Sequence, residues 1–189
     1  MYRTSRLSVL ALVIVLLLAG CGGSGSKSDG TGLVDWPESS SIKTGPQIGN
    51  RAPNFRLEAP DGAIIELSTY SGKPVLLNFF ASWCANCKEE MTALDTASKN
   101  GATVLGINYQ ESASKVTELA VETGATFPMA LDPLSQVSRN GYKVTALPVT
   151  ILIDGDGVIR EIVRGPVDDQ SIQELLDSIA ASAQPEHST

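Results

Sequence analysis

The chain has 189 residues, 42% hydrophobic and 19% charged, which suits one globular domain with additional segments and excludes a wholly disordered chain. Its 14 Lys and Arg against 21 Asp and Glu give a net charge of −7, which argues against non-specific nucleic-acid binding. One histidine and three cysteines are too few for a histidine-rich metal site or for a framework of several disulfides.

The first part of the chain, residues 1–20, predicts a secretory signal peptide. Arg3 and Arg6 precede an almost wholly apolar run over residues 7–18, which is shorter than the roughly 20 residues that a membrane-spanning helix needs. The Leu-Ala-Gly-Cys string that follows resembles the lipobox of bacterial lipoproteins. That resemblance implies cleavage before Cys21 and its lipidation, hence an extracytoplasmic protein anchored to a bacterial membrane. The alternative is cleavage at another small residue, which would leave a free thiol.

Residues 21–46 are predicted to form a flexible linker between this anchor and a folded domain. Eight of the eleven residues 22–32 are Gly or Ser, a composition that does not bury a core. Trp36 is ambiguous, because an indole packs either in a membrane interface or on a domain. We place the domain at residues 47–182 and expect a disordered tail at residues 183–189, which holds the single histidine.

Alternating strands and helices are predicted along the domain. Strands are expected where short apolar runs occur, and helices where apolar side chains recur every three or four residues. The predicted strands cover residues 75–80, 103–108, 126–131, 149–153 and 158–163. The predicted helices cover residues 84–99, 114–123 and 135–140, and a last helix is capped by Asp168 or Asp169. With a hairpin turn at residues 154–157, this order predicts an α/β fold, a mixed sheet flanked by helices on both faces.

One short motif carries the predicted chemistry. Cys84 and Cys87 follow a buried strand and open a helix, where unpaired backbone N–H groups and the helix dipole favour a thiolate. Residues three apart share a helix face, so the pair can close a disulfide. Cys84 is predicted to attack a partner disulfide and Cys87 to resolve the mixed disulfide. The alternatives are a structural disulfide, which would constrain only one helical turn, and a metal site with only two thiolates.

The sequence Trp-Cys-Ala-Asn-Cys-Lys-Glu-Glu at residues 83–90 resembles the WCxxCxxE signature of one protein family. Residues 49–57 resemble the opening segment of that family, residues 67–74 the approach to its active-site strand, and residues 146–150 the segment that bears a cis-proline. The family is the thioredoxin-like superfamily, and more closely its membrane-anchored extracytoplasmic branch typified by TlpA and ResA. The resemblance spans residues 47–182 and implies a thioredoxin-like fold and thiol-disulfide oxidoreductase activity without a cofactor.

The resemblance also implies roles for residues around the cysteine pair. Pro148 is expected to be cis and to pack beside the pair, leaving the backbone near Leu147 free to bind a substrate peptide; an ordinary trans proline at a strand edge is the alternative. Trp83 is expected to form a wall of the site. The Ala85-Asn86 pair between the cysteines lacks the histidine that some relatives carry, which favours a reducing role.

Glu90 is the candidate acid of the site. It lies three residues after Cys87 on the helix surface, at the margin of the apolar stripe, where partial desolvation would raise its pKa. It is predicted to exchange a proton with Cys87. Thioredoxins proper carry a buried Asp where this chain has Asn78, so Glu90 is the candidate substitute; Glu89 is the better candidate for a solvated role near the helix N-terminus.

The sequence therefore predicts an extracytoplasmic, monomeric reductase of exported proteins that contain disulfides, such as apocytochromes c. A membrane thiol transporter would supply its electrons. One alternative is a thiol peroxidase, because the opening at residues 52–55 also occurs in peroxiredoxins, although Ala81 stands where their Thr would be. Another is a copper carrier of the thioredoxin-like type. Such a carrier needs three residues between its cysteines and a distal histidine, whereas this chain has two residues between them and its single histidine in the predicted tail.

Overall fold

The computed structural model describes residues 31–37 and 41–182 of the chain. The predicted signal peptide, Cys21 and the predicted tail beyond Ser182 lie outside the described residues. Within the described part, no helix combines the length and the apolar character needed to cross a membrane.

The fold is built on one mixed sheet of eight strands. The strands are β1 (Gly32–Leu33), β2 (Phe55–Glu58), β3 (Ile64–Glu66), β4 (Val75–Phe80), β5 (Thr103–Tyr109), β6 (Met129–Asp132), β7 (Val149–Ile153) and β8 (Ile159–Arg164). Their order across the sheet is β1-β2-β6-β5-β4-β7-β8, with β3 paired to β2. Strands β4, β5 and β6 run parallel, and the remaining pairs are antiparallel.

Two hydrophobic cores lie on opposite faces of this sheet. The helices are α1 (Ala85–Lys99), α2 (Ala113–Thr123) and α3 (Asp169–Ser182), and there are two short helical turns, a 3-10 turn at Leu67–Tyr70 and a π-helical turn at Gln136–Gly141. Because side chains alternate along a strand, Leu76 and Phe80 of β4 pack with the three α-helices, whereas Leu77 and Phe79 pack with β2 and the short turns. The prediction of an α/β fold with a mixed sheet is confirmed; all three α-helices pack on one face, and the helical layer on the other face consists of the two short helical turns.

The predicted elements differ from the observed ones mainly at their ends. Cys84 is the N-cap of α1 and not its first residue. The strand predicted at residues 126–131 begins only at Met129, because Pro128 has no N–H for the ladder and contributes only its carbonyl, which accepts from Gly106. The last predicted strand is shifted by one residue, and the helix predicted at residues 135–140 is the π-helical turn. The short strands β1, β2 and β3 were not predicted.

Part of the predicted linker packs on the domain, which corrects its boundary. Gly32 and Leu33 pair with β2 as an edge strand, and Trp36 Nε1 donates to the carbonyl of Ala52 at 2.8 Å. The Trp36 ring also lies 4.5 Å below the Arg51 guanidinium and against Gly157, where any Cβ would come within 2.7 Å of the indole. Residues 31–37 therefore contact the folded domain and do not act as free tether.

Candidate redox site

The two cysteines lie together at the start of α1, at the edge of the sheet where β4 ends. Cys84 caps the helix in an extended conformation and forms a disulfide with Cys87, their Cα atoms 5.2 Å apart. Cys84 is 8% exposed and Cys87 is wholly buried. The backbone N–H of Cys87 donates to the Cys84 sulfur at 3.2 Å, a bond that would stabilise a thiolate there after reduction. This geometry suits Cys84 as the accessible sulfur and Cys87 as the resolving one.

The Leu147–Pro148 peptide bond is cis. The register of the antiparallel strands pairs Phe79 with Val149, so Pro148 lies beside the end of β4 that leads to Cys84. Leu147 is half-buried and packs against the core that contains both cysteines. We call residues 143–148 the cis-proline loop. Across the described residues, its backbone from Thr145 to Leu147 makes no hydrogen bond within the protein, so those peptide groups can pair with a bound chain.

Trp83 forms an exposed wall of the site. Trp83 is 67% exposed, whereas the phenylalanines and tyrosines that the structure describes are buried or half-buried. It faces a cleft of about 250 Å³ that the cis-proline loop also lines, together with Tyr109 and Arg139. Large exposed aromatic side chains are typical of binding surfaces, and Trp83 directly precedes Cys84 in the chain.

Glu90 lies behind the cysteine pair and is 1% exposed, far more buried than its sequence position predicts. One of its carboxylate oxygens accepts from Asn78 Nδ2 at 2.7 Å, and the other accepts from the backbone N–H of Val167 at 3.0 Å. Desolvation raises the pKa of Glu90 to about 7, against the lowering effect of these two hydrogen bonds. A carboxyl group with that pKa can take up or release a proton near neutral pH.

Asn78 connects Glu90 to the sheet. It is fully buried in β4, and its amide nitrogen also approaches Thr150 Oγ1 at 3.1 Å on the neighbouring strand β7. Its carbonyl oxygen has no hydrogen-bond partner within the described residues. The amide therefore has one free acceptor directed into the protein next to the buried carboxyl group.

Glu111, which was not predicted as a site residue, binds the loop that leads into the cysteine motif. Glu111 accepts from the backbone N–H of Ser82 at 2.7 Å and from Asn108 Nδ2 at 2.7 Å, and it also accepts from the Ser82 hydroxyl. Asn108, the next-to-last residue of β5, pairs with Phe80 at the end of β4, so polar groups from both strand ends meet at one edge of the sheet. The available signal was the polar residues that follow adjacent parallel strands, which commonly meet at such an edge.

No metal site accompanies the cysteines in the described part of the chain. Among residues 31–37 and 41–182, no three His, Cys, Asp or Glu side chains come together as ligands of a metal ion.

The sequence is similar to one protein family and to two relatives named as thiol-disulfide exchange proteins. Residues 48–162 match the AhpC/TSA family. The chain is 32% identical to the thiol-disulfide oxidoreductase ResA of Geobacillus thermodenitrificans over 95% of this chain and 99% of the relative. It is 34% identical to the thiol:disulfide interchange protein DsbE of Vibrio cholerae, over 68% of this chain and 71% of the relative.

A solved structure extends the comparison to the fold. The exposed lipoprotein thioredoxin Etrx1 of Streptococcus pneumoniae superimposes with a TM-score of 0.57 at 26% identity, covering 66% of this chain and 98% of that one. The curled mixed sheet with its helices is thus shared with a thioredoxin.

Proposed function

The chain belongs to the AhpC/TSA family and is a thiol-disulfide oxidoreductase, and we propose that it works outside the cytoplasm as a lipid-anchored reductant of protein disulfides. The observation that carries the proposal is the position of Cys84. It caps α1 beside the exposed Trp83 and forms a disulfide with the wholly buried Cys87. An accessible sulfur backed by a buried one is what a two-step exchange reaction needs.

The proposed reaction moves two electrons from the protein to its substrate. The Cys84 thiolate attacks one sulfur of the substrate disulfide, the substrate S–S bond breaks, and the departing sulfur takes up a proton. Cys87 then loses its proton and attacks the Cys84 sulfur, which releases the reduced substrate and leaves the Cys84–Cys87 disulfide. The buried carboxylate of Glu90 accepts the Cys87 proton, for which a pKa of about 7 is well placed.

The substrate would bind in the cleft between Trp83 and the cis-proline loop. Unpaired peptide groups at residues 145–147 allow an extended substrate segment to hydrogen-bond beside Pro148. Trp83 and Leu147 supply apolar contact to that segment. Because these hydrogen bonds are made to the backbone of the substrate, they can form with proteins of different sequence.

The direction of the reaction and its partners are part of the proposal, and they rest on the composition of the cysteine motif and on the N-terminal segment. The Ala85-Asn86 pair places no histidine between the cysteines to stabilise the thiolate strongly, which favours a reductant over a strong oxidant. Exported proteins with disulfides are the proposed substrates, apocytochromes c among them, and a membrane thiol transporter is the proposed electron source. The Leu-Ala-Gly-Cys string ending at Cys21 and the likeness to an exposed lipoprotein support lipid anchoring. The proposed form of the anchored protein is a monomer.

Trapping tests this proposal in cells that express the full chain. The Cys87→Ser variant retains the attacking sulfur but cannot resolve, so it should accumulate mixed disulfides with exported proteins, which mass spectrometry identifies. The matched Cys84→Ser variant should trap none of them. Mixed disulfides absent from the Cys87→Ser variant, or equally abundant in both variants, would refute the proposed exchange.

The thiol peroxidase alternative is tested directly with peroxide. In the structure Ala81, which stands in place of the peroxidase Thr, is fully buried and offers no hydroxyl beside Cys84. We expect the reduced protein to consume hydrogen peroxide no faster than the Cys84→Ser variant. Rapid consumption that depends on Cys84 would favour the peroxidase.

A further inference from the structure

Three cations surround the cis-proline loop. Arg139 lines the cleft of about 250 Å³ that holds Trp83. On the other side of the loop, Lys143 and Arg164 line a second cleft of about 280 Å³, which also includes Pro148. The two clefts share residues 144–147, so the cations lie on both sides of the backbone that is free to bind a substrate chain.

These three residues are exposed. Within the described part of the chain, the side chains of Arg139, Lys143 and Arg164 form no hydrogen bond, ion pair or ring contact. Several other cations of the domain are paired with carboxylates: Lys88 with Glu122, Lys99 with Asp95, Lys115 with Glu118 and Arg160 with Asp154. Free positive charge beside the redox site thus contrasts with the net charge of −7 of the whole chain.

No Asp or Glu side chain lines either cleft, and the nearby acids of the described residues bond other groups. Glu111 is bonded to Ser82 and Asn108, and Asp132 accepts from the backbone N–H and the hydroxyl of Ser138. Glu90 is buried behind the cysteines. Glu89 is exposed on α1, but it does not line either cleft.

We propose that these cations select substrates that carry Asp or Glu side chains next to the disulfide. The inference rests on the proposed exchange reaction and adds its specificity. An extended segment that pairs with residues 145–147 advances roughly 3.3 Å per residue. Side chains two or three positions from the attacked cysteine then lie within reach of long Arg or Lys side chains. Opposite charge at that distance steers association and favours the acidic segment over a basic one.

Peptides that differ only in charge test this selection. Three synthetic peptides with the same internal disulfide carry Glu, Gln or Lys two and three residues away from each cysteine, and their reduction by the full-length reduced protein is followed at low salt. We expect the Glu peptide to react roughly tenfold faster than the Lys peptide, with the difference shrinking as salt rises. Each of Arg139→Gln, Lys143→Gln and Arg164→Gln should lower the rate with the Glu peptide more than the rate with the Gln peptide, and so reduce the ratio of the two rates.

Two further variants act as controls. Lys73→Gln removes an exposed cation at the opposite end of β4, and it should leave all three rates as in the wild type. Arg139→Lys keeps the charge and should keep the preference for Glu. Equal rates with the three peptides would overturn the selection while leaving the exchange reaction intact. A protein that reduces none of them would overturn the proposed function and the selection with it.

Discussion

The side-chain amide of Asn78 donates to the Glu90 carboxylate across 2.7 Å, from the middle of β4 to the second turn of α1. The strand position that bears a buried acid in thioredoxins proper thus holds an amide here, and the acid is supplied from the neighbouring helix. The amide holds one oxygen of Glu90 in place, and Val167 holds the other. This arrangement fixes a carboxyl group next to the cysteine pair while burial, and not a nearby charge, sets its pKa.

The buried carboxyl group should make the stability of the protein depend on pH. The pKa of Glu90 rises from 4.5 to about 7 on folding, so between these pH values the folded protein binds a proton that the unfolded chain has released. The contribution of Glu90 to stability is therefore greatest below pH 4.5 and is lost as the pH rises to about 7. We expect the difference in unfolding free energy between Glu90→Gln and the wild type to change by about 3 kcal/mol in favour of the variant as the pH rises from 4.5 to 8.

Urea unfolding at several pH values measures this difference. Glu89→Gln is the matched control, because Glu89 is exposed on the same helix turn and should follow the wild-type pH dependence. Parallel stability curves for Glu90→Gln and the wild type would show that Glu90 does not change its protonation on folding.

Glu90 should also determine how the rate of disulfide exchange depends on pH. In the wild type, resolution of the mixed disulfide should accelerate as Glu90 ionises, through a titration near its pKa of about 7. Glu90→Gln should lose that titration and resolve roughly tenfold more slowly at neutral pH. Stopped-flow tryptophan fluorescence, to which Trp83 beside Cys84 contributes, follows the reaction with a disulfide peptide. A Glu90→Gln profile that overlays the wild type, with Glu89→Gln alongside, would remove Glu90 from the mechanism.

Cys84 should be the thiol that reacts with alkylating agents. It is 8% exposed against 0% for Cys87 and accepts the Cys87 N–H, which favours its thiolate. We expect iodoacetamide at neutral pH to label Cys84 of the reduced protein at least tenfold faster than Cys87, as mapped by peptide mass spectrometry. Faster labelling of Cys87 would reverse the roles of the two cysteines.

The local elements of the fold were predictable because their signals lie within a few residues. The apolar run of β4 and the spacing of Met91 and Leu94 on α1 gave the strand and the helix that place Cys84. The cysteine motif and Pro148 could likewise be recognised from short segments. These features need no knowledge of distant partners.

Other features depend on contacts between residues far apart in the chain. Trp36 was ambiguous because its partners Ala52, Arg51 and Gly157 are brought to it only by the folded sheet. Strands β1 to β3 have two to four residues each, too short for a periodic pattern. The full burial of Glu90 arises from Val167, 77 residues away, so the helix pattern alone placed it only at the margin of the core.

Lipidation of Cys21 remains a prediction, since that residue lies outside the described part of the structure. If the lipobox is used, the wild type should partition into the detergent phase of a detergent–water extraction, and Cys21→Ala should partition into water. Cys84→Ala is the control and should stay with the detergent phase, because it removes a thiol of the domain only. A wild type that partitions into water like Cys21→Ala would show that there is no lipid anchor.

Glu111 should stabilise the loop that carries the cysteine motif. Its carboxylate accepts from the Ser82 N–H at 2.7 Å and from Asn108 at 2.7 Å, and truncation to alanine leaves these donors without their acceptor. The expected cost is about 1–3 kcal/mol in unfolding free energy, together with slower exchange because Ser82 lies two residues before Cys84. Glu118→Ala is the matched control, since that glutamate is exposed and bonds only Lys115, and it should cost less than about 0.5 kcal/mol. Urea unfolding and peptide reduction are measured on both variants. Equal, small effects would mean that Glu111 contributes no more than a surface ion pair to the position of Cys84.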